Sequence, residues 1–314
     1  METTATAPGK IILFGEHAVV YGRPAIAAPV SGLRATAVVA PGDTPGVLLR
    51  TPDLGHDRLL AAADDEDPIA AVVRAVQRAA ALPALPDLCV TVRSAIPIAS
   101  GLGSGAAITA ALIRALAAHL GLPALQETAA LSDLTYEVEK LHHGTPSGID
   151  NTVVAYEQPV YFMRRQPRNL IETFAIGRPL TLLIADTGVR SSTKAVVGDV
   201  RRQWAAEPDT FEPIFDGCGG IAAAARTAIE QGELPPLGQL MNENHRLLQR
   251  MTVSSAELDE FVAAAQAAGA LGAKLSGAGR GGNMIALVTA ERETAVGAAL
   301  QKAGAVRVMK TVVA

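Results

Sequence analysis

The stretch Pro97-Ile98-Ala99-Ser100-Gly101-Leu102-Gly103-Ser104-Gly105-Ala106-Ala107 joins two apolar segments of different period. Before it, Leu88 to Arg93 alternates as a strand does. After it, an alanine-rich run to about His119 reads as a helix. Gly101, Gly103 and Gly105 fall where that helix begins. Free N–H groups at a helix start, at the positive end of the macrodipole, attract phosphate. Glycine lets the backbone approach a ligand closely and permits positive φ. The Ser104 hydroxyl suits a helix cap, a phosphate or a metal. By itself the turn also reads as an ordinary N-cap whose glycines serve packing.

Upstream, Ile11–Phe14, Ala25–Pro29 and Leu33–Ala40 read as strands and residues 68–81 as a helix. The acidic run Asp64-Asp65-Glu66-Asp67 before Pro68 reads as a solvated loop ending in a helix start. Downstream, a helix is expected from about 124 to 142 and a strand at Leu180–Ala185. Helical patterns follow at 219–231, 237–249 and 255–268. Strands at 273–276, 284–289 and 306–313 flank a helix at 291–303. This order predicts an antiparallel sheet covered by helices, an α+β arrangement. The exposed stretch Arg164-Arg165-Gln166-Pro167-Arg168 suggests a domain link, with the boundary between 160 and 180.

Two further glycine clusters stand at the ends of the chain. In Ala7-Pro8-Gly9-Lys10 through Gly15-Glu16-His17-Ala18-Val19-Val20-Tyr21-Gly22, a short strand brings in Lys10 and a turn presents Glu16 and His17. One cation and one anion close together suit a polar ligand, or form a solvated surface pair. In Lys274-Leu275-Ser276-Gly277-Ala278-Gly279-Arg280-Gly281-Gly282-Asn283, four glycines in six positions exceed what a hairpin needs. Such a loop could lie against phosphates or substrate, or be a flexible hairpin.

Between them lies Glu137-Val138-Glu139-Lys140-Leu141-His142-His143-Gly144-Thr145-Pro146-Ser147-Gly148-Ile149-Asp150-Asn151-Thr152. Glu139 is expected at a helix end, as a hard oxygen ligand for Mg²⁺. Asp150 is expected at the start of the next helix, where the dipole favours a carboxylate fit to act as a base. Zinc at Glu139, His142 and His143 is disfavoured, because adjacent helical residues point about 100° apart. The glycine spacings at 101–106 and 277–282 mimic a dinucleotide fingerprint, but neither has the required strand–turn–helix setting. The phosphate-loop pattern ending in Gly-Lys-Ser/Thr is absent from the sequence.

Composition narrows the partners. The net charge is −4, and no Lys/Arg run suggests nucleic-acid binding. Two cysteines, Cys89 and Cys218, make neither a disulfide framework nor a metal knuckle and fit a reducing cytoplasm. The first residues lack a basic start and an apolar run, so no signal peptide is expected. The most apolar helix carries Arg114 and His119, and no membrane span is expected. With aromatics at only 4%, alanine and valine must do much of the packing.

Together the three clusters and the Asp150 segment resemble the GHMP kinases, named for galactokinase, homoserine kinase, mevalonate kinase and phosphomevalonate kinase. The motifs occur in the family's order and spacing over nearly the whole chain. The first motif, His143-Gly144-Thr145-Pro146-Ser147-Gly148-Ile149-Asp150-Asn151, and Asp186-Thr187-Gly188-Val189 through Ser192-Thr193-Lys194 are most similar to the mevalonate kinase branch. The resemblance implies an α+β, two-domain GHMP kinase fold with the active site in the cleft between domains. Residues 1–170 would form an ATP-binding domain with a mixed sheet and helices. Residues 171–314 would form a ferredoxin-like α+β domain. It implies ATP and Mg²⁺, and transfer of the γ-phosphoryl to the 5-hydroxyl of (R)-mevalonate, a step of isoprenoid precursor synthesis.

By motif position, Asp150 would be the base and Lys10 its electrostatic partner. Glu139 would bind the metal. Pro97, Gly101, Leu102, Gly103, Ser104, Gly105, Ala106 and Ala107 would wrap the nucleotide. Glu16, His17, Thr193, Gly277 and Ala278 would lie near the substrate. Two departures stand out. Gly105 occupies the place of a serine credited with touching Mg²⁺, so Ser104 or water would replace it. Arg280 interrupts the third glycine run; it would face solvent, the favoured reading, or add charge near the phosphates. Rival readings are a phosphomevalonate or homoserine kinase, a decarboxylase of the same family, and an inactive metabolite sensor. Some relatives dimerise, so a homodimer is one expected assembly.

Overall fold

A strand twelve residues long opens the chain. In a computed structural model the elements are β1 (Thr3–Phe14), β2 (Ala25–Pro41), β3 (Val47–Thr51), β4 (His56–Leu59), α1 (Pro68–Ala79), β5 (Leu88–Ser94), α2 (Ser104–His119), α3 (Thr128–His143), α4 (Ile149–Tyr156), β6 (Val160–Met163), β7 (Leu170–Thr173), β8 (Leu180–Asp186), α5 (Thr193–Ala206), α6 (Pro208–Gln231), α7 (Leu234–Arg250), α8 (Ala256–Ala267), β9 (Gly272–Ser276), β10 (Asn283–Val288), α9 (Glu293–Lys302) and β11 (Arg307–Val313). The structure describes residues 1–64, 66–97, 101–143 and 147–314, without the side chains of 142 and 143. Ile98-Ala99-Ser100, Gly144-Thr145-Pro146, Asp65 and the two histidines weighed for zinc therefore lie outside the described residues.

The chain forms two compact units. The first holds Met1–Lys10, Leu33–Ile98 and Leu102–Glu157. In it β2 pairs antiparallel with β5 from Ala35↔Ser94 to Pro41↔Leu88. Strand β3 runs parallel to β5 and antiparallel to β4, so the sheet is mixed. Helix α1 starts where the acidic run ends. The Asp67 carboxylate accepts from Ile69 N (2.9 Å) and Ala70 N (3.0 Å), with Pro68 at the first helical position. Helix α2 packs on α1, α3 and α4. Its alanines at 106, 107, 110, 111, 115 and 117 are all buried, the close approach that an aromatic-poor composition requires. Its one arginine, Arg114, donates to Thr6 O, Ala155 O and Glu157. A half-buried charge on an apolar helix is thereby paired.

The second unit holds Ile11–Gly32 and Gln158–Ala314. Here the first part of β2 pairs with β6, and β6 with β7. Arg164–Arg168, expected as a domain link, is exposed and forms the loop of that hairpin. A second sheet runs β11-β8-β10-β9, antiparallel throughout. This is the ferredoxin-like order, with four helices, α5 to α8, where one crossover would serve. Phe211, Phe215, Leu248, Phe261, Leu275 and Met284 centre its core.

Several elements went unread in the sequence. Helix α5 mixes polar and apolar residues, and of the apolar ones Val196 and Val200 are buried and Trp204 half-buried. Their i, i+4, i+8 spacing turns a narrow stripe inward. Helix α6 begins at Pro208, eleven residues before the expected start, and runs through Pro213, Gly217, Gly219 and Gly220. A Cβ at Gly219 would stand 3.0 Å from the Arg23 side chain, so packing selects glycine against helix propensity.

The approach of α7 to β9 sets the position of the third glycine cluster. A Cβ at Gly272 would lie 2.1 Å from the Gly238 carbonyl oxygen, and one at Gly238 2.3 Å from that of Leu271. Gly272→Ala is expected to push helix from strand and lower stability by about 1–3 kcal/mol. Thermal unfolding checks this, and an unchanged Tm contradicts the packing described.

Candidate active site

In the first unit, the first two glycine clusters meet. Lys10 N donates to Leu102 O at 2.8 Å, which lays β1 along the turn preceding α2. A Cβ on Gly9 would lie 2.8 Å from the same oxygen. Gly103 caps α2 in the left-handed region, φ 70°, and its Cα faces the Lys10 side chain. The lysine then reaches Asp150, with Nζ 3.3 Å from Oδ2. Asp150 is the second residue of α4, behind Gly148 with φ 92°. It is one-third exposed, Lys10 13%. An ion pair this accessible is open to a ligand.

Glu139 arrives from α3. Ser132, Thr135 and Glu139 form a buried polar stripe at i, i+3, i+7. Ser132 accepts the Asn151 amide through Oγ (2.9 Å) and O (3.2 Å), which ties α4 to α3. Glu139 Oε1 lies 3.5 Å from where a Cβ on Gly105 would stand. The space a serine would fill is therefore next to the carboxylate. Ser104 Oγ lies 3.5 Å from Ser94 Oγ on β5. Ala106 and Ala107 are buried in α2, and Leu102 is buried beneath the turn.

A cavity of about 530 Å³ opens beside these groups. Leu54, Ile69, Val92 and Ile108 line it with Ser94 and Arg58. Arg58 is engaged by Asp67, and Asp53 accepts Ser94 N at 2.8 Å. Sequence reasoning missed this cavity, because β3 and β4, which carry much of it, went unrecognised.

In the second unit, the first and third clusters meet. Glu16 pairs with Lys274, which sequence reasoning gave no role; both side chains are buried, 1% and 0% exposed. Lys274 also donates to Leu275 O at 2.6 Å. Burial pushes the Glu16 carboxyl up and the Lys274 ammonium down, each opposed by the other's charge. The pair is net neutral wherever its proton resides. His17, at φ 60°, donates from Nε2 to Ala278 O (2.9 Å). Burial lowers its pKa and keeps the ring neutral at pH 7. Burial likewise raises the nearby Cys218 thiol to about 12, which leaves it inert.

The third cluster is a bonded loop rather than a flexible hairpin. Ser191 Oγ donates to Gly279 O (2.7 Å), Gly282 N to Val189 O (2.9 Å) and Thr187 N to Gly282 O (2.9 Å). Arg280 is about one-third exposed and bonded to the protein rather than free in solvent. Its guanidinium pairs with Asp199 of α5 and donates to Thr252 O (3.1 Å). Thr193 is exposed at the start of α5, and the surroundings of Gly277 are open.

The comparisons agree with this geometry. Residues 68–158 match the family description "GHMP kinases N terminal domain", and residues 225–306 match "GHMP kinases C terminal". The chain is 37% identical to the mevalonate kinase of Pyrococcus horikoshii over 96% of its own length and 93% of that protein's. The structure superimposes on L. major mevalonate kinase, solved with R-mevalonate, with a TM-score of 0.85 at 31% identity, covering 99% and 95% of the two chains. The Methanococcus jannaschii mevalonate kinase shares the fold, with a TM-score of 0.86 at 24% identity over 100% and 98%. The chain belongs to the GHMP kinases. It is an ATP-dependent small-molecule kinase, and its relatives place it on the mevalonate kinase branch.

Gly103 makes a direct test of the Lys10 placement. A Cβ there would stand 2.7 Å from Lys10 Cγ, on a backbone of positive φ. Gly103→Ala is expected to displace the lysine and cut phosphoryl-transfer turnover by about 10²-fold. Steady-state kinetics check this; wild-type turnover would separate catalysis from the lysine's position.

Proposed function

We propose that this chain is a mevalonate kinase, transferring the γ-phosphoryl of ATP to the 5-hydroxyl of (R)-mevalonate. The observation that carries the reading is the Lys10–Asp150 pair beside the glycine turn that begins α2. The near full-length likeness to mevalonate kinases selects the acceptor.

Phosphoryl transfer depends on positioning and on neutralising charge over the phosphoryl oxygens. The free N–H groups at the start of α2, from Ser104 to Ala106, would meet the phosphates, aided by the helix dipole. The apolar cavity by Ser94 and Ile108 suits the base of the nucleotide, with size and lining typical of a small-molecule site. Asp150 would take the hydroxyl proton. Lys10 would place positive charge beside the oxygen as it becomes the nucleophile. Glu16, His17 and Ala278, with Thr193, are the acceptor-side groups of the second unit.

Glu139 fits a magnesium ligand. Its carboxylate borders the space left open by Gly105, and Mg²⁺ is ordinarily held by one or two carboxylates plus substrate phosphates. Among the described residues no group of three or more His, Cys, Asp or Glu could hold a metal, so phosphate and water would complete the shell. Bound there, the ion would offset phosphate charge. Among the described residues no helix is long and apolar enough to cross a membrane.

A coupled ADP-release assay tests the reading. (R)-mevalonate should elicit ADP release, and phosphomevalonate and homoserine should not. Asp150→Asn should keep ATP affinity and lose at least ~10²-fold in turnover. Near-normal turnover of that variant removes Asp150 from the base role, and ADP release with another acceptor alone replaces mevalonate as substrate.

A further inference from the structure

The first and third glycine clusters are joined by three ties. Lys274 and Ser276 face the same way along β9, and Ala278 follows in the glycine loop. Lys274 reaches Glu16, Ser276 Oγ donates to Ile12 O at 2.7 Å, and the Ala278 carbonyl accepts from His17 Nε2. Residues 274, 276 and 278 thus tie down residues 12, 16 and 17. The strand is backed by His245, whose Nδ1 accepts from Leu275 N (3.3 Å) while Nε2 donates to Asp259 (3.0 Å). Lys274 also lies 6.0 Å from the Phe14 ring centre.

This is an expensive arrangement. Desolvating two charges costs several kcal/mol each, and a well-packed apolar pair is often as stable. Glu16 Oε2 and His17 Nδ1 are among the buried atoms that remain without a hydrogen-bond partner among the described residues. Buried polar atoms are nearly always partnered, so two such exceptions on adjacent residues of one turn call for a ligand. Their chemistry says which kind. With Nε2 donating to a carbonyl, the neutral His17 ring has a bare lone pair on Nδ1. Glu16 Oε2 is likewise an acceptor. Two acceptors suit hydroxyl donors and do not suit a carboxylate.

We propose that Lys274 is a positioning residue for the phosphoryl acceptor: it holds Glu16 through Oε1 so that Oε2, with His17 Nδ1, receives hydroxyl groups of that molecule. The inference rests on the mevalonate kinase reading above. Lys274 does not itself touch the acceptor. Its effect runs through Glu16, and that separates it from a lysine that only stabilises the fold.

A double-mutant cycle in KM reads this directly. Lys274→Met should raise KM for (R)-mevalonate at least ~10-fold, with KM for ATP within about twofold, a split expected when one substrate's contact is lost. In a Glu16→Gln background the same change should alter the mevalonate KM less than about twofold, because the group it positions is already gone. Equal increases in both backgrounds, or parallel changes in both KM values, overturn the proposal. Should Lys274→Met fail to fold, Lys274→Arg serves. It keeps the charge but displaces Glu16, so mevalonate KM should rise with ATP KM unchanged; an unchanged mevalonate KM overturns the proposal. Wild-type protein without mevalonate-dependent ADP release would defeat the underlying reading instead, an outcome distinct from an active enzyme with a flat cycle.

Discussion

One backbone hydrogen bond organises the first unit: Lys10 N to Leu102 O, 2.8 Å. It fixes β1 against the turn that starts α2. From there the lysine side chain has one course, past the bare Cα of Gly103, toward Asp150 at the start of α4. Glycine at 9 and 103 is the steric condition for this contact. Without it the strand could not lie on the turn, and charge and phosphate cradle would separate.

Around that contact the unit distributes its roles by element. The start of α2 supplies N–H donors, the start of α4 the carboxylate, and the buried polar stripe of α3 brings Glu139 beside Gly105. The second unit repeats the pattern with different chemistry. There β9 and the loop after it meet residues 12 to 17 through a buried ion pair and two hydrogen bonds to carbonyls. In each unit two glycine-bearing segments, remote in sequence, converge where their backbones can touch.

Much of this was legible in the residues. The glycine turns, the helix starts at Pro68 and next to Asp150, and the strands of the second sheet carry local signals in period and capping. The missing parts lacked such signals. Strands β3 and β4 are short, and β4 reads His-Asp-Arg-Leu, so the cavity they line was invisible. Helix α6 contains proline and glycines that local rules treat as breakers, and only tertiary packing explains them. Lys10 and Glu16, neighbours in sequence, looked like partners, yet each finds its counter-charge more than a hundred residues away. Arg280 looked free because its partner, Asp199, lies on a helix the pattern did not announce.

In the proposed reaction Lys10, Asp150 and the α2 turn together carry a phosphoryl group from ATP to a primary hydroxyl. Phosphorus NMR of wild-type protein with ATP, Mg²⁺ and (R)-mevalonate is the decisive measurement. ADP is expected to appear with an equal amount of a new phosphomonoester coupled to the C5 methylene protons. Release of ATP's terminal phosphate only as free phosphate, or an ester at any other position, would contradict it.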